Sequence, residues 1–216
     1  MTKPRVKICC ISSPAEAALA IKHGASALGL VGKMPSGPGV ISDEQILEIA
    51  QGVPPPVSTF LLTSETKASD IIAHYNRVYT TTIQIVDELE GRQYEILRRE
   101  LPQVKLVQVI HVVKQNSVKE AIEVSHFVDA ILLDSGNPTL TVKELGGTGR
   151  IHDWGLSKQI RDSVKIPLFL AGGLTKDNVK QAVDIVQPFG LDLCSSVRTN
   201  GQLDGDRLKD FFDALD

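Results

Sequence analysis

A thiol and a carboxyl group stand where apolar segments of this sequence end. Cys9 and Cys10 lie near the close of the run Val6 to Ile11, and Asp134 terminates Ala130-Ile131-Leu132-Leu133. Both group types can exchange protons near neutral pH once their surroundings tune them. An unpaired carboxylate is costly to bury, so Asp134 is expected either to reach solvent at a strand mouth or to serve a reaction. The cysteines leave two readings open. A cysteine in an apolar strand is often a small buried hydrophobe, and a free thiol can also be reactive. Because side chains alternate along a strand, one of Cys9 and Cys10 is expected to face inward and the other to face the opposite layer.

Two further segments suit an anion. Ala171-Gly172-Gly173-Leu174 ends an apolar run and precedes Thr175 and a helical segment from Asp177. Glycines let the backbone approach a ligand closely, and the free amides at a helix start favour phosphate. Ser195 and Ser196, following Cys194, add amide and hydroxyl donors. Gly146-Gly147-Thr148-Gly149-Arg150, in the long irregular stretch Ser135 to Asp153, reads as a lid or as an exposed glycine loop. His23, His74 and His126 fall on helical patterns and read as surface or packing residues, whereas His111, near a strand end, is a candidate to face a site. No His, Asp and Glu set has ligand spacing, so no metal is expected.

The elements that must position these residues recur with a regular period. Strand-like runs cover Val6 to Ile11, Ala27 to Val31, Val57 to Leu62, Thr81 to Val86, Lys105 to Val112, Ala130 to Leu133, Pro167 to Leu170 and Gly190 to Cys194. Nearly continuous apolar strands suit a sheet covered on both faces. Helical spacing fills the gaps, from Pro14 to His23 before Gly24, from the capping-box pattern Ser42-Asp43-Glu44-Gln45 to Ala50, then Lys67 to Tyr75, Gln93 to Glu100, Val118 to Val124, Leu156 to Ser163, Asp177 to Val186 and Leu203 to Leu215. Eight strands alternating with eight helices predict an α/β fold, a single (β/α)8 TIM barrel occupying residues 1–216. No GxGxxG follows the first strand, which disfavours a dinucleotide-binding sheet. In such a barrel the active site is built at the C-terminal strand ends and the loops after them, where Cys9, Asp134, Gly172, Gly173, Ser195 and Ser196 lie.

The 216 residues carry a formal net charge of −3, which argues against nucleic acid as a partner. No apolar run approaches the ~20 residues of a membrane span, so a cytoplasmic protein is expected. Three cysteines, two of them adjacent, fit neither a disulfide framework nor a zinc site and read as free thiols.

Taken together, these motifs resemble the phosphoribosylanthranilate isomerase family. Val6-Lys7-Ile8-Cys9-Cys10-Ile11-Ser12 resembles its VKICGIT, Leu132-Leu133-Asp134-Ser135 its LLDT, and Gly146 to Trp154 its GGTGKTFDW. Ala171-Gly172-Gly173-Leu174 with Asn178-Val179 resembles AGGLxxxNV, and Asp192 to Val197 is similar to DVSSGV. The resemblance implies an Amadori rearrangement of N-(5-phosphoribosyl)anthranilate to its 1-deoxyribulose 5-phosphate form in tryptophan biosynthesis, without cofactor or metal. It implies that Asp134 is the general acid and Cys9 the general base. It also implies a phosphate site at Gly172, Gly173, Ser195 and Ser196, and further substrate contacts from Lys7, Gln84, Arg150 and Asp192. A phosphorylated small molecule is the expected partner, bound by a monomer or a homodimer.

The departures fall at the other end of the substrate. Gly39 occupies the place of the arginine in the family's KSxRxIS, and Ile83-Gln84-Ile85-Val86-Asp87 keeps the glutamine of VQLHG but not its histidine and glycine. Cys10 and Ser196 replace glycines, and Arg150 and His152 replace lysine and phenylalanine. Lys33, Arg150 and Arg198 are the cations available to compensate for Gly39. Two alternatives follow: a related barrel isomerase or lyase for another phosphorylated sugar, or a barrel that binds a phosphometabolite without converting it.

Overall fold

The computed structural model describes residues 3–136 and 150–216. Eight parallel strands close on themselves in sequence order, from β1 (Arg5–Ile8) through β2 (Ala27–Val31), β3 (Ser58–Thr63), β4 (Thr82–Ile85), β5 (Lys105–His111), β6 (Ala130–Asp134) and β7 (Leu168–Leu170) to β8 (Gly190–Leu193), which pairs back onto β1. Helices α1 (Pro14–Lys22), α2 (Asp43–Gly52), α3 (Ala68–Val78), α4 (Gly91–Glu100), α5 (Asn116–Val124), α6 (Trp154–Ser163), α7 (Val179–Val186) and α8 (Gly205–Asp213) follow the strands in turn. The chain is therefore a (β/α)8 barrel. The glycine-rich segment Gly146 to Gly149, read above as a lid, lies outside the described residues.

Local chemistry sets the helix starts. Ser13 accepts from the Glu16 amide ahead of Pro14, Ser42 and Gln45 form the reciprocal capping box expected from their spacing, and Asp153 and Asp204 accept two amides each at the starts of α6 and α8. Each such cap contributes about 1 kcal/mol.

Strand alternation divides the core in two. Leu28, Leu30, Leu61, Ile83, Ile131, Leu133 and Leu191 belong to the layer packed against the helices. Ala27, Val31, Phe60, Leu62, Val107, Val109, Ala130, Leu132, Phe169 and Ala171 form a second, separate cluster inside the barrel. Phe60 of β3 meets Phe169 of β7 edge-on at 6.0 Å between centroids, so the interior is filled by side chains. Asp134 lies two residues beyond Leu132 on the inward side of β6. It thereby sits at the top of this packed interior.

The structure departs from the sequence reading in two places. β1 ends at Ile8, and Cys10 takes φ of 62°, a left-handed conformation. The alternation expected for Cys9 and Cys10 is thereby broken: both belong to the inner cluster, and neither faces the helix layer. Leu203, assigned above to the last helix, belongs instead to a short hairpin, β9 (Arg198–Thr199) with β10 (Gln202–Leu203). Its turn is Asn200-Gly201, with φ of 51° and 81°, the pairing that two-residue hairpins demand.

Candidate active site

The strand ends and the loops after them enclose a cavity lined by Cys9, Cys10, Met34, Pro38, Gln84, Asp134, Asp192, Cys194 and the segments Gly172 to Thr175 and Ser195 to Ser196. The thiol and the carboxyl group singled out in the sequence thus face the same space, and the two glycine and serine pairs border it. Asp134 is 8% exposed, and its Oδ1 accepts from the Ser135 amide at 2.7 Å, which fixes the carboxyl plane at the strand end.

At the cavity floor an ion pair joins the first strand to the last. Lys7 and Asp192 are register partners, and Lys7 Nζ donates to Asp192 Oδ1 at 2.9 Å. Lys7 is fully buried, and the ring of Phe60 lies 5.4 Å from its ammonium. Burial pulls the Lys7 ammonium toward the neutral form, but attraction to Asp192, and secondarily to Cys9, more than offsets it and holds the lysine charged. Burial pushes the Asp192 carboxyl upward, Lys7 pulls it down, and neighbouring Asp134 adds to the upward push. A Cβ placed on Gly29 would meet Cys9 Sγ at 2.8 Å and Lys7 Nζ at 3.0 Å. Thiol and ammonium therefore share the wall beside that glycine, which has no side chain to separate them.

The glycine side of the cavity has a sharply turned backbone. Gly172 and Gly173 take φ of 80° and 63°, and a Cβ on either would run into Arg150 and Ile151 backbone or into Ser135 and His152. Asn178 staples the turn, accepting from the Thr175 amide at 2.8 Å and donating to the Gly173 carbonyl at 2.9 Å. After the neighbouring strand β8, Ser195–Val197 forms a single 3-10 turn, with Ser195 and Ser196 lining the cavity.

The remaining sequence candidates separate. Gln84 lines the cavity, and its buried Oε1 has no hydrogen-bond partner among the described residues. Lys7 lies below the cavity rather than on its surface, and Arg150 is exposed and not among the lining residues. His111 is not at the site; its Nε2 faces the Val86 carbonyl at 3.1 Å. His74 packs, buried, against Asp43. Arg198 is committed elsewhere: its guanidinium pairs with Glu16 at 2.9 Å and donates to the Cys10 carbonyl at 2.6 Å.

The sequence reading gave His152 no role. It is buried, its Nε2 lies 2.8 Å from Ser157 Oγ, and its Nδ1 has no partner among the described residues. Burial lowers its pKa, with Asp134 pulling in the opposite direction, so the ring is held toward the neutral form. The only signal was a histidine where the family has phenylalanine. Among the described residues no group of side chains could hold a metal ion.

A family model described as N-(5'phosphoribosyl)anthranilate (PRA) isomerase matches residues 6–214. The chain belongs to the phosphoribosylanthranilate isomerase family. Relatives bearing the name N-(5'-phosphoribosyl)anthranilate isomerase include one from Methanothrix thermoacetophila, 32% identical over 96% of this chain and 95% of the relative, and one from Nostoc punctiforme, 33% identical over 98% of both. Among solved structures, phosphoribosyl anthranilate isomerase from Thermotoga maritima superimposes with a TM-score of 0.81 at 29% identity, covering 98% of each chain. Another phosphoribosyl anthranilate isomerase, in complex with reduced 1-(o-carboxyphenylamino)-1-deoxyribulose 5-phosphate, matches with a TM-score of 0.78 at 27% identity over 98% of each chain.

Gly39 and Cys10, two of the departures read in the sequence, adjoin one another. Gly39 takes φ of 82°, and a Cβ there would meet Cys10 Cβ at 2.5 Å. The Cys10 side chain fills the space that any side chain at position 39 would enter. The two positions that depart from the family pattern in the sequence reading are thus neighbours in space.

Proposed function

We propose that this chain converts N-(5'-phosphoribosyl)anthranilate into its 1-deoxyribulose 5-phosphate form, as a cytoplasmic enzyme of tryptophan biosynthesis acting as a monomer or homodimer. The observation that carries the reading is that Cys9 and Asp134 line one cavity together with Gly172, Gly173, Ser195 and Ser196. A sugar phosphate gripped at those glycines and serines presents its pentose to both groups.

Asp134 gives its proton to the furanose ring oxygen; the ring C–O bond breaks, and the nitrogen lone pair forms the iminium. Cys9, as thiolate, removes the proton from C2, and the electron pair flows back to nitrogen to give the enolamine. Tautomerisation to the ketone completes an isomerisation that gains and loses no atoms. The Lys7 ammonium behind Cys9, held charged by Asp192, offsets the negative charge on the sulfur. Gln84 Oε1, an acceptor without a partner of its own among the described residues, takes a hydrogen bond from a substrate donor.

One observation favours a second reading, in which the same grip serves a different phosphorylated sugar: the wall at Gly39 carries the Cys10 side chain in place of a cation. The experiment that decides is restoration of growth in a tryptophan auxotroph lacking the isomerase, paired with loss of phosphoribosylanthranilate fluorescence on addition of the purified protein. Growth and turnover support the first reading. A fully expressed, folded protein that gives neither rejects it.

A further inference from the structure

Cys10 and Cys194 are the two cysteines for which the isomerisation has no use, and they meet at the cavity rim. Their sulfurs lie 2.9 Å apart in a hydrogen bond, although 184 residues separate them in sequence. Cys10 is carried there by its left-handed backbone (φ 62°), and Cys194 by the end of β8. Both border the cavity, which admits a small oxidant, and Cys194 is the more exposed of the pair. A disulfide needs its sulfurs at about 2.05 Å, so closing the gap takes a shift of under an ångström in two side chains on loop backbone.

We propose that Cys10 and Cys194 form a reversible disulfide on exposure to hydrogen peroxide, cross-linking the loop after β1 to the loop after β8 across the cavity rim. The Cys194 thiolate attacks one peroxide oxygen; the O–O bond breaks, and Cys194 becomes a sulfenic acid as hydroxide leaves and takes up a proton. Cys10 sulfur then attacks the Cys194 sulfur; the S–S bond forms, the S–O bond breaks, and water leaves. Two thiols are oxidised and one peroxide is reduced to two waters; an external dithiol reverses the change.

The order of attack follows from the surroundings. The hydrogen bond with Cys10 lowers the Cys194 thiol despite burial, and the Arg198 guanidinium adds to the effect, whereas the same hydrogen bond pushes Cys10 up. Cys194 therefore supplies the first thiolate and Cys10 resolves it. Arg198 also holds the Cys9 and Cys10 carbonyls at 3.3 and 2.6 Å, so the resolving thiol stays in place.

The test is peptide mapping of the whole chain, reduced and then treated with hydrogen peroxide, with remaining thiols alkylated before digestion. The expected product is one cross-linked peptide pair joining Cys10 to Cys194, with Cys9 alkylated and the link removed by dithiothreitol. Cys194→Ser abolishes the pair and leaves Cys10 alkylated. A link through Cys9, or full alkylation of Cys10 and Cys194 after a dose that forms sulfenic acid in a reactive control thiol, overturns the proposal. Because the readout is a peptide mass, it stands apart from the isomerase reading.

Discussion

Lys7 and Asp192 face each other in register across the seam where the first strand of the barrel meets the last, with nitrogen and oxygen 2.9 Å apart. Both side chains are buried, Lys7 fully and Asp192 where it borders the cavity. The pair joins the two ends of the sheet and sets a fixed positive charge under the candidate base.

Removing one partner leaves the other charge buried and uncompensated, which typically costs about 3–5 kcal/mol. Lys7→Met is therefore expected to lower unfolding free energy by that order, while Lys7→Met with Asp192→Leu recovers part of the loss. Urea denaturation of the two variants and the parent checks this.

How far this site is legible in the sequence depends on the residue. Eight strand and helix patterns were readable because both sheet faces are covered, so each strand is apolar throughout, and Ser42 to Gln45 carried its own cap. Asp134 was readable because a carboxylate ends an otherwise apolar strand. Cys10 was not: its left-handed φ of 62° comes from its place at the end of β1, which composition does not record. The Lys7 to Asp192 pair joins residues 185 apart, and only barrel closure brings them together. The Asn200-Gly201 turn, by contrast, is a hairpin signal present in the chain just before Leu203, the residue that the sequence reading placed in the final helix.

Gly39 and Cys10 are expected to be energetically coupled. Gly39→Ala places a Cβ 2.5 Å from Cys10 Cβ at a positive φ, and the strain is expected to cost about 1–3 kcal/mol. In a Cys10→Gly background the contacts with Cys10 Cβ and Sγ disappear, leaving the Cα at 3.0 Å and the positive φ, and the cost should fall by about half. A double-mutant cycle on unfolding free energies reads the coupling; additive effects would disprove contact between the two positions.

Asn178 holds the glycine turn through two hydrogen bonds. Asn178→Ala should cost about 1–3 kcal/mol of stability and loosen the anion grip. The kinetic expectation is a rise in KM for the phosphorylated substrate that exceeds the fall in kcat.

Glu120 should make stability depend on pH. Burial, with Glu88 and Glu123 nearby, raises its pKa from 4.5 to about 7 in the folded chain. The folded state thus binds its proton more tightly than the unfolded state does. The contribution is fully present below about pH 4.5 and is lost as pH rises through about 7. Glu120→Gln should melt close to the parent at pH 4.5 and above it at pH 8; equal melting differences at both pH values would contradict the assignment.

If one thiol and one carboxyl group move the protons, steady-state turnover of phosphoribosylanthranilate falls when either is removed, in Cys9→Ala and in Asp134→Asn. Each variant, folded and melting cooperatively, should lose about 10²- to 10⁴-fold in kcat. Turnover at the parent rate by either variant would mean that the group removed moves no proton in the reaction.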